Sequence, residues 1–549
     1  MTSAAAVPTA ARPRVLMPLL RLLIRRDRVQ VPLWILGTAA MAAAAVGGVA
    51  ESFGTESDRV AVLATVMANP VILLFRGLPS GAGEAQVALF LILPFLAMLA
   101  GFMSTFLAVR HTRAEEEPGR GELVAATPAA RVAPLSATVV HGVIANLAIL
   151  VLVTLVYIGA GYPAAGSWVA GLATASVGLC FLGIGLLAAQ LMRTSRGANS
   201  LAVWVLVATY VVAGLGNALG TPSDDLTRME SSWPAWLSPF GWAGNTRPYA
   251  DDAVWPAVLG IVVGAVLTAV AFAVQSVRDV GEGVVPQRHG RTWAAASLGS
   301  PVGLVWRLAR GSALGWAIGG LISGLLAVGL ASAVNELGTR IDSVQQVFEA
   351  LSKQGGLEEG MVVTFYLMIG VLAACAAVQT VCRARQEEAH GTAEPVLATA
   401  VDRVRWLAAH IVVALLAVVI VIAAALAGSA LGSFGGDASL LKHAAVAGIG
   451  QAVAACVFLA VTALVFVLVP RATIVVGWML VLIALTVGLF GPLFSMPDWL
   501  TGLSPFAQAP TLGDGAIDVD GGWWMLSAAA AGILASLVLM RRRELHPTA

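Results

Sequence analysis

The chain has 549 residues, of which 58% are apolar and 11% charged, with a mean hydropathy of +0.86. Soluble domains carry about 25% charged and about 45–50% apolar residues, so this composition excludes an ordinary soluble enzyme, a disordered chain and a disulfide scaffold. The 32 Lys+Arg and 31 Asp+Glu nearly cancel, which leaves no charge argument for nucleic acid, and the reading is an all-α polytopic membrane protein.

The first element is a basic stretch at about 14–28, Pro18-Leu-Leu-Arg21-Leu-Leu-Ile-Arg25-Arg26 followed by Arg28. Arg21 and Arg25 stand one helical turn apart among leucines, the pattern of a helix lying along a membrane surface. A helix needs roughly 20 apolar residues to cross roughly 30 Å of hydrocarbon. Twelve such runs follow, at about 30–50, 86–109, 133–159, 165–192, 198–219, 252–277, 311–333, 361–382, 406–431, 443–468, 473–494 and 520–540. They are continuous and Leu/Ala-rich rather than alternating, so they predict helices and not barrel strands.

Twelve spans leave both termini on one side. The segments on that side hold 25 of the 32 basic residues and 12 of the 31 acidic ones. Arginine and lysine accumulate in short cytoplasmic loops, so both termini of this multi-pass membrane protein are expected in the cytoplasm. Cys180, Cys375, Cys382 and Cys456 all fall in spans or near the cytoplasmic face, where they read as small packing residues.

The chain repeats itself. Residues 113–131 and 385–403 match without a gap at 9 of 19 positions, through Glu115, Glu116, Gly119, Glu122, Val124 and Ala126-Thr127 against Glu387, Glu388, Gly391, Glu394, Val396 and Ala398-Thr399. Before the first and seventh spans Arg25, Arg28, Trp34 and Gly37 recur as Arg307, Arg310, Trp316 and Gly319. After the fifth and eleventh, Pro234-Ala-Trp236 and Ser-Pro239-Phe240 recur as Pro497-Asp-Trp499 and Ser-Pro505-Phe506. The expected organisation is a tail and surface helix (1–29), a six-span half (30–278), a linker (279–300), a second surface helix and six-span half (301–540) and a tail (541–549). Six is even, so the halves are parallel repeats about an axis along the membrane normal.

The acidic loop, Glu-Glu-x2-Gly-x2-Glu with Ala-Thr after it, is similar to the coupling segment of ABC-2-type exporter permeases. The chain looks most like the fused twelve-span permeases that export polyketide antibiotics and other drugs in GC-rich bacteria. The resemblance implies that the two loops dock on two copies of a separately encoded ABC ATPase. Glu115, Glu116, Gly119, Glu122, Leu123 and Val124 would do so in the first half, and Glu387, Glu388, Gly391, Glu394 and Val396 in the second. It implies interfacial helices carrying Arg21, Arg25, Arg28, Arg307 and Arg310, and an exit path along the second and fifth spans of each half. The rival reading of the loops is a solvent-facing acidic surface whose ion pairs contribute about 0–1 kcal/mol each. The second copy differs in having Pro395 inside the expected helix and Ala400 where the first has Pro128.

No Gly-x4-Gly-Lys-Ser/Thr loop is present: Lys353 follows Ser352 and Lys442 follows Leu441, the only two lysines. Nothing here cradles a nucleotide phosphate, so the chain is no enzyme by itself, holds no cofactor, and ATP with magnesium would be bound by the partner subunit. His141 and His410 read as interfacial residues rather than ligands, and no metal-ligand spacing is evident. All 63 charged residues fall in loops or span ends, which argues against a proton-coupled secondary carrier.

What remains to line a path is apolar and aromatic. The candidates are Phe95, Met98, Phe102 and Phe106 in span two, Trp204 and Tyr210 in span five, Phe365, Tyr366 and Met368 in span eight, and Trp478 and Phe490 in span eleven. Pro94 lies mid-span, where it frees a carbonyl and kinks the helix, as an outer gate would use. Walls rich in Met and aromatics re-pack around varied shapes. The expected cargo is therefore a hydrophobic or amphiphilic small molecule, with lipid or polyketide export as the nearer alternative.

Overall fold

The computed structural model describes residues 13–68, 73–74, 76–120, 126, 131–279, 281–285, 292–329, 331, 357–433, 438–490, 502–513, 516–518 and 520–544. The chain divides into two compact units, Met1–His289 and Gly290–Ala549.

In the first unit, α1 (Pro13–Arg26) is by far the most amphipathic of the described helices. It exposes Met17, Leu22 and Ile24 while burying Leu20. A turn at 27–29 separates it from α2 (Gln30–Ser52), after which α3 (Glu56–Ala68) carries Glu56 and Asp58 in its first turn, where acids favour the positive end of the helix dipole. Then come α4 (Glu84–Arg110), the four-residue α5 (Arg113–Glu116), α6 (Ala133–Gly159), α7 (Ala164–Leu191) and α8 (Ser195–Ala218). A hairpin of β1 (Thr221–Pro222) and β2 (Met229–Glu230), a tight turn at Trp233–Leu237, α9 (Pro239–Gly244) and α10 (Trp255–Val277) complete the unit.

The second unit runs α11 (Pro301–Gly329), α12 (Leu357–Ala389), α13 (Glu394–Leu397), α14 (Arg403–Gly432), α15 (Ala438–Leu468) and α16 (Thr473–Phe490). The hairpin β3 (Thr511–Gly513) with β4 (Ala516–Asp518) and helix α17 (Asp520–Met540) follow. Eleven described helices are long and apolar enough to cross a membrane. The remaining expected span, 473–494, is represented by α16, and its last residues lie outside those described.

Both units use one packing plan. The fourth long helix is central: α7 packs on α4, α6, α8 and α10, and α15 packs on α12, α14, α16 and α17. The first span lies across the second and third, α2 on α4 and α6, and α11 on α12 and α14. One feature breaks the correspondence. A separate surface helix at 301–310 is expected from Arg307 and Arg310, yet α11 carries both and continues unbroken to Gly329. At the position matched to Asp27, the residue of the turn after α1, the second half has buried Ala309. An alanine sits in a continuous helix without needing a charge partner.

Apolar side chains gain little from facing one another rather than lipid, so close backbone approach carries the helix pairing. The tightest case is α11 against α14. A Cβ on Gly324 would stand 1.9 Å from the Ala425 carbonyl oxygen, and one on Gly428 would stand 2.0 Å from that of Leu321. Gly315, on the same α11, has nothing within 4 Å of that position. Overpacking costs about 1–3 kcal/mol, so Gly428→Val lowers the melting temperature in detergent and Gly315→Ala leaves it unchanged. A thermal scan of both variants checks the pair.

Candidate functional site

A few of the charged residues that the sequence assigns to loops and span ends, Asp27, Arg113, Arg278, Arg385 and Glu388, are buried where the long helices meet the acidic loops. In the first unit the junction starts at Asp27, in the turn between α1 and α2. Its carboxylate is 2% exposed and receives Nε2 of His111 at 2.5 Å and Nε2 of His141 at 3.1 Å, both on Oδ2. Arg110 Nε lies 3.3 Å from Oδ1. The end of α4 and the body of α6 are thereby tied to the end of α1. Burial would raise the Asp27 carboxyl, but the hydrogen bonds from both histidines and the neighbouring charges of His111 and Arg110 outweigh it and hold it well below the usual carboxylate range.

The loop begins one residue after Thr112. Arg113, fully buried, donates to the Ala189 carbonyl at 2.8 and 2.7 Å and to that of Glu282 at 3.1 Å. Its remaining nitrogen meets Glu116 at 2.9 Å. Arg278, at the end of α10, closes on both oxygens of Glu116 at 2.7 and 2.8 Å, the bidentate geometry that makes such pairs strong. Glu115 pairs with Arg26 of α1 and with Arg120. Glu117 accepts from the Ser195 backbone at 3.0 Å and its hydroxyl at 2.6 Å, and these bonds lower its carboxyl. The chain then turns at Gly119, φ +76°, a left-handed conformation that glycine adopts without strain. Glu122, Leu123 and Val124 lie outside the described residues.

The second unit repeats the arrangement with other partners. Glu387 accepts from Arg383 at 3.3 Å and faces His410 Nε2 at 3.5 Å. Glu388, almost fully buried, binds Arg543 at 2.5 Å and Arg385 at 3.4 Å. Arg543 also stacks 4.5 Å over the Phe466 ring, and its carbonyl receives Arg403 at 2.6 Å. Gly391 (φ +71°) makes the matching turn. Pro395, expected as an interruption, instead occupies the first turn of α13, where its missing N–H costs nothing. Glu394 is exposed and Val396 half-buried. Beside α13 opens a cleft of about 900 Å³ lined by Glu394, Leu397, Val401, Arg403, Arg405 and Arg541 among others.

Two expectations are corrected here, and one rival reading loses ground. The rival reading of the loops as a solvent-facing acidic surface does not describe Glu116, Glu387 and Glu388, each of which is met by an arginine of its own unit. His141 and His410 are not interfacial side chains but buried members of these clusters. And Asp27, His111 and His141 form a grouping capable of holding a metal, although no local spacing announces it. Of the interfacial arginines, Arg21, Arg25 and Arg28 are exposed on or just after α1, and Arg307 and Arg310 lie on α11.

The path candidates scatter. Phe102 and Phe106 stack at 5.8 Å beside Trp34, and Phe95 and Met98 are half-buried on the same helix. Trp204 and Trp478, on the fifth span of their units, are exposed. Tyr210 meets Phe240 edge-on at 5.5 Å and lines a small cavity of about 30 Å³ with Phe90 and Pro94. Tyr366 is a core residue, fully buried with its hydroxyl 3.0 Å from Ser429, while Phe365 and Met368 are half-buried. The side chain of Phe490 lies outside the described residues. The carbonyl that Pro94 deprives of its helical partner is not free, because Gly77 N donates to Phe90 O at 2.9 Å. A Cβ on Gly77 would stand 2.8 Å from that oxygen, so glycine is what lets the loop reach it.

Breaking a buried pair leaves an uncompensated charge and costs about 3–5 kcal/mol. Glu116→Ala and Glu388→Ala therefore reduce the yield of monodisperse protein and its melting temperature, whereas exposed Glu394→Ala does neither. Size-exclusion profiles after graded heating measure all three.

Comparison with known proteins identifies the family. The family model described as "Multidrug efflux system permease Rv1217c, C-terminal domain" matches residues 16–274 and 298–541. A protein of Mycobacterium tuberculosis (strain ATCC 25618 / H37Rv) named "Multidrug efflux system permease protein Rv1217c" is 34% identical over 546 residues, covering 96% of this chain and 95% of the relative. The chain therefore belongs to the family of ABC-type multidrug efflux system permeases.

Proposed function

We propose that this chain is the permease subunit of an ATP-driven exporter, with both halves in one polypeptide and two copies of a separate ATPase seated on its two acidic loops. The carrying observation is the doubled junction. Each loop has a base fixed by arginine–carboxylate pairs, Arg278 and Arg113 on Glu116, Arg543 and Arg385 on Glu388. Each also has an exposed outer part, Glu117 and Arg120 in the first and Glu394, Ala398 and Thr399 in the second. A segment that transmits force between two bodies needs that combination, since a tip on a loose base would dissipate the movement.

That the 549 residues hold no phosphate-binding loop supports placing nucleotide and magnesium on the partner in this reading. The family name and the Met- and aromatic-bearing spans support hydrophobic, drug-like cargo. In this reading α1 lies along the inner surface of the cytoplasmic membrane, with exposed Met17, Leu22 and Ile24 in lipid and Arg21 and Arg25 at the headgroups. Both termini are cytoplasmic, as the arginine distribution favours.

The purified chain is expected to hydrolyse no ATP alone and to recover drug-stimulated hydrolysis with the ATPase at one permease to two partners. In inside-out vesicles containing both, drug uptake continues when an uncoupler collapses the proton gradient at constant ATP. Uptake lost to the uncoupler would replace this reading with a secondary carrier.

A further inference from the structure

The transport reading gives Asp27, His111 and His141 no role of their own, yet among the described residues they are a group of potential metal ligands whose donor atoms all lie within 4.8 Å of one another. They arrive from three elements: the turn after α1, the residue ending α4, and the first half of α6. All three side chains are buried. The two imidazoles present the same ring atom, Nε2, to the same carboxylate oxygen at 2.5 and 3.1 Å. Their Nδ1 atoms are buried without a hydrogen-bond partner, so the ring hydrogen bonds they make are those to Asp27. What aligns them is the point on which they converge.

Two imidazole nitrogens and one carboxylate oxygen, all within 4.8 Å of one another, are a donor set for a borderline divalent ion. Zinc binds histidine nitrogen at about 2.0–2.1 Å and carboxylate oxygen at about 2.0–2.2 Å, so donors about 3 Å apart can share one ion with small adjustments. The other carboxylate oxygen faces Arg110, the kind of outer partner that holds a ligating carboxylate in place. The second unit serves as an internal control. Arg383 stands at the position matched to His111, and Ala309 at that matched to Asp27. There the junction closes with Arg383 bonded to Glu387 and to the Leu308 carbonyl. One half thus has an ordinary ion pair where the other has three convergent ligands.

We propose that Asp27, His111 and His141 bind one divalent transition metal, zinc fitting the donor set best, and that the ion clamps α1 to the helices leading into and out of the first acidic loop. The site is not the ATPase's nucleotide magnesium and needs no nucleotide or cargo. It stiffens the base of one loop only, so metal supply would tune the first half selectively.

The test uses the full chain in detergent, purified through a histidine-free tag, stripped with EDTA and dialysed against zinc alone. Inductively coupled plasma mass spectrometry is expected to find about one zinc per wild-type chain, and a small fraction of that in Asp27→Asn and in the double variant His111→Ala/His141→Ala, because ligand identity and count set the site. Arg110→Leu keeps all three ligands and is expected to weaken affinity about 10–100-fold. Asp27→Asn retains an oxygen that accepts both imidazole N–H groups, so its monodisperse elution separates lost metal from lost fold. If that variant also fails to fold, cobalt decides on wild type, with visible d–d bands expected for the proposed site. Wild type that stays metal-free and without cobalt bands, or variants that bind as much zinc as wild type, would leave a hydrogen-bonded cluster and overturn the proposal. Metal content is read on the isolated chain, so this outcome is independent of whether the protein exports drugs.

Discussion

Charges drawn out of water at the edge of an apolar helix bundle have to be met at hydrogen-bond distance, and that requirement organises the arginine-rich end of both units. Arg113 shows how complete the matching is: its guanidinium reaches two carbonyls and one carboxylate while having no exposed surface of its own. Arg278 then reaches the same carboxylate from the end of the sixth span. The second span, the sixth span and the loop are therefore held by one carboxylate. Neither helix can move at this end without carrying Glu116 or breaking its pairs, so the loop is an extension of the bundle and not an appendage. In the second unit Glu388 does the same between α12 and the residues just after α17.

The membrane-embedded architecture was legible because its cause is compositional. Twenty apolar residues in a row admit few structures other than a spanning helix, and the repeat at 113–131 and 385–403 announces two similar halves. The shared packing of α7 and α15 follows from that repetition. What the chain order hides is pairing over distance. Asp27 meets residues 84 and 114 positions away, and Glu116 meets one 162 positions away. No local spacing encodes such contacts. A signal existed all the same: Asp27 is an acid inside a basic tail, and an acid opposing its neighbourhood commonly has a reason in three dimensions. Loop position alone does not show that Glu116, Glu387 and Glu388 are paired, because a residue in or just beyond the last turn of a long helix can still lie beneath the ends of its neighbours.

Pro94 teaches a related point about backbone. The sequence marks a freed carbonyl, and a freed carbonyl in an apolar surrounding is costly unless something satisfies it. Gly77 does so from the preceding loop, with Arg76 donating to the next carbonyl, Leu91, at 3.0 Å and lying 5.7 Å over Phe95. The proline is thus a fastening point for that loop as well as a weak point of the helix, and any motion at Pro94 is coupled to the loop covering it.

The two halves, alike in packing, differ where force would enter them. In the second unit α11 runs without interruption from Pro301 into its span, so a push near Arg307 is carried directly into the helix that grips α14 through Gly324 and Gly428. In the first unit the helix is interrupted by the turn at 27–29, and side chains there tie it to the loop and to the neighbouring helices: Arg26 to Glu115, and Asp27 to His111 and His141. Covalent backbone cannot be adjusted, whereas a junction of side chains depends on protonation and bound ions. A fused chain is free to hold this asymmetry, because its halves need not share one sequence. A permease assembled from two identical half-size subunits would carry the same junction on both sides. Fusion thus allows one loop to be fixed by backbone continuity and the other to be set by chemistry, and the first half is where such setting would act.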